Sequence, residues 1–138
     1  MNNHLKFFID GRWVDPVNPA TIDVIDPSTE EVFTRISAGS AADVDKAVAA
    51  AKAAFPAFMR TSTAERIALL KRILEAYNAR YEDIAQATSR EMGAPIRLAR
   101  DGQAFCGPAH LEATITALEN FAFSERRGTT MVVREPIG

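Results

Sequence analysis

The sequence predicts an α+β fold: strands first, then a block of about four to five helices, then a C-terminal strand. Three observations carry this. Period-two alternation and turn residues fill 1–39, apolar residues spaced by three and four fill 40–127, and an extended run fills 129–138. No strand interrupts the helical block, so the alternating strand–helix order of a dinucleotide-binding sheet is absent.

The elements follow in order. Leu5-Lys6-Phe7-Phe8-Ile9 and Arg12-Trp13-Val14 flank Asp10-Gly11, a pair that favours a two-residue hairpin of type I′. Asp15-Pro16 ends the second run, because proline donates nothing to a ladder. Thr21-Ile22-Asp23-Val24-Ile25 is a further strand, Asp26-Pro27-Ser28-Thr29 a turn, and 31–37 another strand. Ser40-Ala41-Ala42-Asp43 resembles a capping box with Asp in place of Glu. Behind it Val44, Ala47, Val48, Ala51, Ala54 and Phe55 form one apolar stripe, and Pro56 is expected to stop that helix. Ser62-Thr63-Ala64-Glu65 is a second capping box, with Ile67, Leu70, Leu74 and Tyr77 lining the helix it opens. A third helix spans Tyr81 to Met92, with Gly93 as its stop. Pro95 stands where an N1 proline opens a fourth helix, which Gly107-Pro108 either kinks or restarts. Leu111, Ile115, Leu118 and Ala122 make a last stripe, Arg126-Arg127 reads as a solvated helix end, and Gly128 closes the block.

The run from Thr129 to Gly138 reads as a strand without a partner, and a lone strand needs a neighbour for its backbone groups. The chain is therefore expected to be the opening part of a larger protein, carrying scaffold and assembly rather than chemistry. Its 138 residues are one ordinary domain's length. A net charge of −2 gives no reason to invoke nucleic acid or an anionic membrane. A single cysteine rules out an internal disulfide and suits a reducing compartment. The start Met1-Asn2-Asn3-His4 shows no leader pattern, and no apolar run approaches the ~20 residues of a membrane span, so a cytoplasmic location is expected.

Candidate chemistry is sparse. Cys106 and His110 stand four apart, the minimum for a thiol–imidazole nucleophile. Gly107-Pro108 interrupts the turn between them, and Phe105-Cys106-Gly107 is the setting of a small buried hydrophobe, which is the preferred reading. His4 and His110 lie outside any His/Cys ligand spacing. Asp43 and Glu65 read as caps, and Glu75, Glu82 and Asp83 as polar-face residues. Phe7, Phe8, Trp13, Phe55, Phe58, Phe105, Phe121 and Phe123 fall on strands and stripes, so core or subunit contact is preferred over a ligand cage. The seven glycines (11, 39, 93, 102, 107, 128 and 138) never form Gly-x-Gly, so neither the usual dinucleotide fingerprint nor a P-loop is present.

Six segments in order carry a family likeness: Phe8-Ile9-Asp10-Gly11-Arg12-Trp13-Val14; Val24-Ile25-Asp26-Pro27-Ser28-Thr29-Glu30-Glu31-Val32; Ala41 to Phe58; Ala64-Glu65-Arg66 with Leu69-Leu70; Glu91-Met92-Gly93-Ala94-Pro95; and Arg134-Glu135-Pro136-Ile137-Gly138. The chain resembles the N-terminal part of the aldehyde dehydrogenase superfamily over essentially its whole length. The resemblance implies a larger α/β enzyme that oxidises an aldehyde to a carboxylic acid with NAD or NADP, through a cysteine thioester. It places the cofactor lysine and glycines, the general-base glutamate and the nucleophilic cysteine beyond Gly138. Cys106 does not stand in the nucleophile's motif, so no catalytic, cofactor-binding or metal residue is assigned within this chain. Some relatives bind a monovalent cation at backbone matching Val24-Ile25, helped by an acid in the following long helix. Gln103 stands near that position, and no cation site is assigned. The resemblance also makes 1–128 the N-terminal part of the cofactor-binding domain. It makes 129–138 the start of a truncated oligomerisation arm, with the remainder of the parent chain or further copies as partners. The chain alone is expected to be inactive and to bind no cofactor. The alternative is a stand-alone helical interaction module of the same descent.

Overall fold

A computed structural model describes residues 3–137. Met1, Asn2 and Gly138, the last residue of the Arg-Glu-Pro-Ile-Gly run, lie outside the described residues. The expected hairpin forms because Asp10 and Gly11 both take positive φ, 53° and 72°. They join β1 (Phe7–Ile9) to β2 (Arg12–Val14), which sets Phe8 opposite Trp13 with their rings edge to face at 5.3 Å. β3 (Thr21–Asp26) and β4 (Glu31–Ser37) form a second antiparallel pair. Val24 faces Thr34 but Ile25 faces Val32, so Phe33 is the extra residue of a bulge. Asp26 shapes the turn between them: its Oδ1 accepts from Ser28 N at 2.9 Å and Ser28 Oγ at 2.5 Å. Ser37 ties the two hairpins, its Oγ donating to the Leu5 carbonyl at 2.7 Å.

Both capping boxes close. Asp43 Oδ2 accepts from Ser40 N and Oγ at 2.9 and 2.7 Å, while Oδ1 accepts from Val17 N at 2.9 Å. One carboxylate therefore starts α1 (Ala41–Phe58) and holds the loop after β2 against it. Pro56 does not stop α1 as expected; it lies inside the last turn. There its missing N–H leaves few later bonds to disturb, and Met59 N still reaches Phe55 O at 2.8 Å. α2 (Thr63–Ala79) opens on the Ser62–Glu65 box, and Arg80 separates it from α3 (Tyr81–Met92). Gly93 ends α3 at φ 65°.

A helical path then runs through α4 (Ile96–Leu98), a π segment (Ala99–Ala104) and α5 (Phe105–Asn120). Pro95 precedes α4 rather than being its first residue. Gly107-Pro108 neither breaks nor restarts the path, because both residues are matched to a partner. Proline has no N–H to give to the carbonyl four residues back, which here is Ala104. Tyr77 from α2 takes that place, its hydroxyl donating to Ala104 O at 2.9 Å. Glycine leaves room for the ring: a Cβ on Gly107 would lie 2.5 Å from the Tyr77 hydroxyl oxygen and 2.6 Å from Cε2. Tyr81 does the same one turn earlier, donating to Arg100 O at 2.7 Å. Glu82 grips the Arg100 guanidinium with both oxygens, each at 2.8 Å.

The largest departure from expectation is at the end. The strand expected from Thr129 has a partner: β5 (Ser124–Arg127) pairs antiparallel with β6 (Thr130–Val133). Arg126 and Arg127 are strand residues, not a helix end, and the helical block stops at Asn120. Phe121 breaks the helix with extended backbone, φ −85° and ψ 124°. Gly128, at φ 60°, turns the hairpin instead of capping a helix. Arg134 staples it, donating to Glu125 Oε1 at 2.7 Å and to Ala122 O at 2.9 Å.

Among the described residues the buried apolar ones are few: Ala85, Ala99, Ala104 and Ile115. They sit where α2, α3, the π segment and α5 meet, and three are alanines because the helices approach closely there. The half-buried α2 residues Ile67, Leu70, Leu74 and Tyr77 face this centre.

Two outcomes follow from this centre. Gly107→Ala is expected to cost about 1–3 kcal/mol in urea unfolding. In a Tyr77→Leu background that penalty shrinks, because the clash and the hydroxyl bond are one interaction. Second, hydrogen bonds from Arg100 and then Gln86 hold the Glu82 carboxyl down from an ordinary value of 4.5 to about 2. The lowered pKa stabilises the fold above about pH 4.5 and this contribution is lost as pH falls toward 2. Glu82→Gln removes that part of the acid dependence in a pH series of urea midpoints.

Candidate functional site

Two of the sequence segments, 65 residues apart along the chain, meet in space. The left-handed Gly93 backs onto the 26–29 turn so closely that an added Cβ would lie 3.0 Å from Pro27 Cβ and 3.2 Å from Ser28 N. Glycine thus meets two demands at once, positive φ and close approach. Ser89 Oγ, donating to Ala94 O at 2.6 Å, fixes the chain as it leaves α3. Between β3–β4 and α3 lies an open cleft of about 890 Å³ whose lining includes Val24, Asp26, Phe33, Ile36, Arg90 and Pro95. Arg90 lies over the Phe33 ring, 5.4 Å from its centroid. The Ser28 side-chain and backbone bonds, with a smaller effect from the Arg90 charge, hold the Asp26 carboxyl below the usual carboxylate range.

The candidate nucleophile does not gain a base here. Cys106 is exposed, against the expectation of a small buried hydrophobe. It lies on the outer side of α5, and its Sγ donates to Gly102 O at 3.2 Å, not to His110. His110 is exposed, and its carbonyl accepts from Thr114 Oγ1 at 2.7 Å. His4 is remote from both, with Nδ1 3.0 Å from Thr34 Oγ1. Among the described residues no three His, Cys, Asp or Glu side chains gather as a metal site. Asp43 and Glu65 act as the caps expected of them, and the hydrogen bonds from Ser40 and Ser62 hold their carboxyls low. Glu82 is more than a polar-face residue, since it ties α3 to the π segment through Arg100. Gln103 is exposed on that segment. The sequence reading missed the roles of Tyr77 and Tyr81. Their acceptors lie 27 and 19 residues further along the chain, so no local pattern marks them.

What the chain offers instead is uncovered apolar surface. Phe8, Trp13, Phe58, Phe105 and Phe121 are at least half exposed, so the aromatics do not make a core among the described residues. The α5 stripe finds a cover in α2, whereas α1 meets β1 and the loop after β2 and leaves Val44 and Val48 in water. The hairpin adds Met131 and Val133. The total accessible area is 10196 Å². A self-contained protein of 15.1 kDa exposes about 7,100 Å². The excess of about 3,000 Å² is several times the ~800 Å² that a standard interface takes from one partner. Among the described residues no helix is long and apolar enough to cross a membrane.

Known proteins agree with this picture. The model of the aldehyde dehydrogenase family matches residues 13–138. A curated Staphylococcus aureus protein (strain bovine RF122 / ET3-1) that carries an aldehyde dehydrogenase name is 45% identical over all 138 residues. This chain spans 29% of that relative's length. A crystal structure of Pseudomonas syringae AldC with NAD+ and octanal superposes with a TM-score of 0.94 at 44% identity, over 98% of this chain and 28% of that one. An aldehyde dehydrogenase from Bartonella henselae gives 0.87 at 46% identity, over 91% and 26%. Matched along nearly all its length in sequence and in backbone, the chain belongs to the aldehyde dehydrogenase family.

Proposed function

We propose that these residues serve as the N-terminal framework of an NAD(P)-dependent aldehyde dehydrogenase and have no oxidoreductase activity by themselves. The observation that carries this reading is the pairing of about 3,000 Å² of excess exposed surface with a chain that spans only 29% of its relative's length. A surface of that size is an interface in waiting, and its exposed aromatics are the anchors that such interfaces use. The relatives' much greater length supplies the missing side of the interface. On this reading 1–128 pack as part of the cofactor-binding domain and 129–138 begin an oligomerisation arm, entered through the β5–β6 hairpin.

The reaction is then that of the longer relatives: an aldehyde becomes a carboxylic acid through a cysteine thioester, with hydride passing to NAD or NADP. AldC was solved with NAD+ and octanal, which favours NAD as the cofactor. This chain's contribution is to support and to cover. It lends no nucleophile, and the cofactor sits on residues that follow. The protein is placed in the cytoplasm as part of a homo-oligomer.

One observation favours a second reading, a stand-alone interaction module. Every strand described has its partner within a local hairpin, so the chain completes these ladders without outside help. Both readings predict association and differ in the partner.

The test is to purify the 138-residue chain and assay it with NAD+ and NADP+ on short and medium-chain aldehydes. No turnover is expected, and co-expression with the downstream residues of the S. aureus relative is expected to give a soluble complex. Turnover by the chain alone, abolished by Cys106→Ser, would overturn the framework reading. Failure to bind downstream residues while forming a defined self-assembly would favour the module.

A further inference from the structure

We propose that Ala99–Ala104 is a register clamp, in which Tyr77, Tyr81 and Glu82 hold an extra residue in the helical path. The clamp thereby sets the rotation of α5 and its hairpin relative to the cleft wall formed by α3. A π segment accommodates one residue more than regular α turns over a similar rise, at the cost of poorer backbone bonding. Such a segment persists only where side chains compensate, and here three do so from one corner. Tyr81 and Tyr77 donate to Arg100 O and Ala104 O, carbonyls four residues apart, at 2.7 and 2.9 Å. The two tyrosines are themselves four apart, on either side of the Arg80 junction, with their rings edge to face at 6.3 Å. The spacing of the clamp is thus copied from the α2–α3 corner onto the wide turn. Glu82 adds a two-point grip on Arg100.

The extra residue answers two packing demands that a regular helix could not meet together. At the start of the wide turn, Ala99 is fully buried. At its end Ala104 is buried, and beyond it Ile115 is buried where α5 lies along α2. Deleting one residue's worth of register turns everything beyond it by about 100°. That rotation would carry Ile115 off α2 and swing β5–β6, which follows α5 after three residues. Pro108 supports the clamp from the other side: it withholds the N–H that would otherwise compete with Tyr77 for Ala104 O. The clamp thereby links the direction of the hairpin surface to the seating of α3. It stands independently of the framework reading, because it concerns only this chain's own geometry.

Amide exchange read by NMR on the 138-residue chain tests it. In Tyr77→Phe/Tyr81→Phe, the amides of 100–106 are expected to exchange at least ten-fold faster while Ala85 and Ile67 stay within two-fold. Chemical-shift changes should extend along α5 into β5–β6. Pro108→Ala, which offers Ala104 O a backbone donor, is expected to perturb the same amides without lowering the urea midpoint. Equal acceleration across α1, α2 and α3, or no local change in 100–106, would overturn the clamp. If the double variant does not fold, Tyr77→Phe alone, which keeps the ring over Gly107, is read in the same way.

Discussion

The constraint behind this structure is that the chain cannot bury its own apolar faces. Among the described residues four apolar ones are buried, and three of them are alanines. The hydrophobic driving force scales with area removed from water, so a centre this thin leaves much of the order to local devices. Those devices are present in number. Two capping boxes start α1 and α2, paired left-handed residues turn the first hairpin, and Arg134 staples the last. Each fixes a few residues regardless of what covers the outer faces. The elements are therefore well formed while their apolar stripes, above all that of α1, stay open.

Where helices do meet, backbone chemistry decides how. The carbonyl of Ala104 loses its ladder donor to Pro108 and gains the Tyr77 hydroxyl. Gly107 makes that approach possible. The same economy appears at Gly93, where a helix stop and the 26–29 turn share one position without a side chain. Both places join elements distant in sequence. In this framework, the residues that matter most for geometry are glycine, proline and the polar groups that answer them, while many large apolar residues, Phe8, Val44 and Phe105 among them, stay exposed.

Much of this was legible in the sequence. Asp10-Gly11, the two serine boxes and the Gly93 stop each carry their mechanism within a few residues, and each appears where expected. The errors have a common physical origin. Gly128 supplies positive φ equally to a helix stop and to a hairpin turn, and only pairing across it, Ser124 with Val133, separates the two. Pro56 and Gly107-Pro108 look like breakers locally, but position in the last turn and a tyrosine from another helix absorb them. Burial of Phe8, Trp13 or Cys106 cannot be read from a stripe, since a stripe states which residues share a face and not whether anything covers it. The Tyr77 and Tyr81 contacts were invisible for a related reason: their acceptors lie 27 and 19 residues further on.

The claim of an uncovered framework is tested most directly by the heat capacity of unfolding, measured by calorimetry on the dilute monomeric chain. Apolar area exposed on unfolding sets this quantity. A self-contained protein of this length gives about 1.7–2.1 kcal/mol/K. The account predicts a value well below that range, rising when a covering partner is bound. A full value for the monomer alone would contradict it, because the apolar faces would then already be buried.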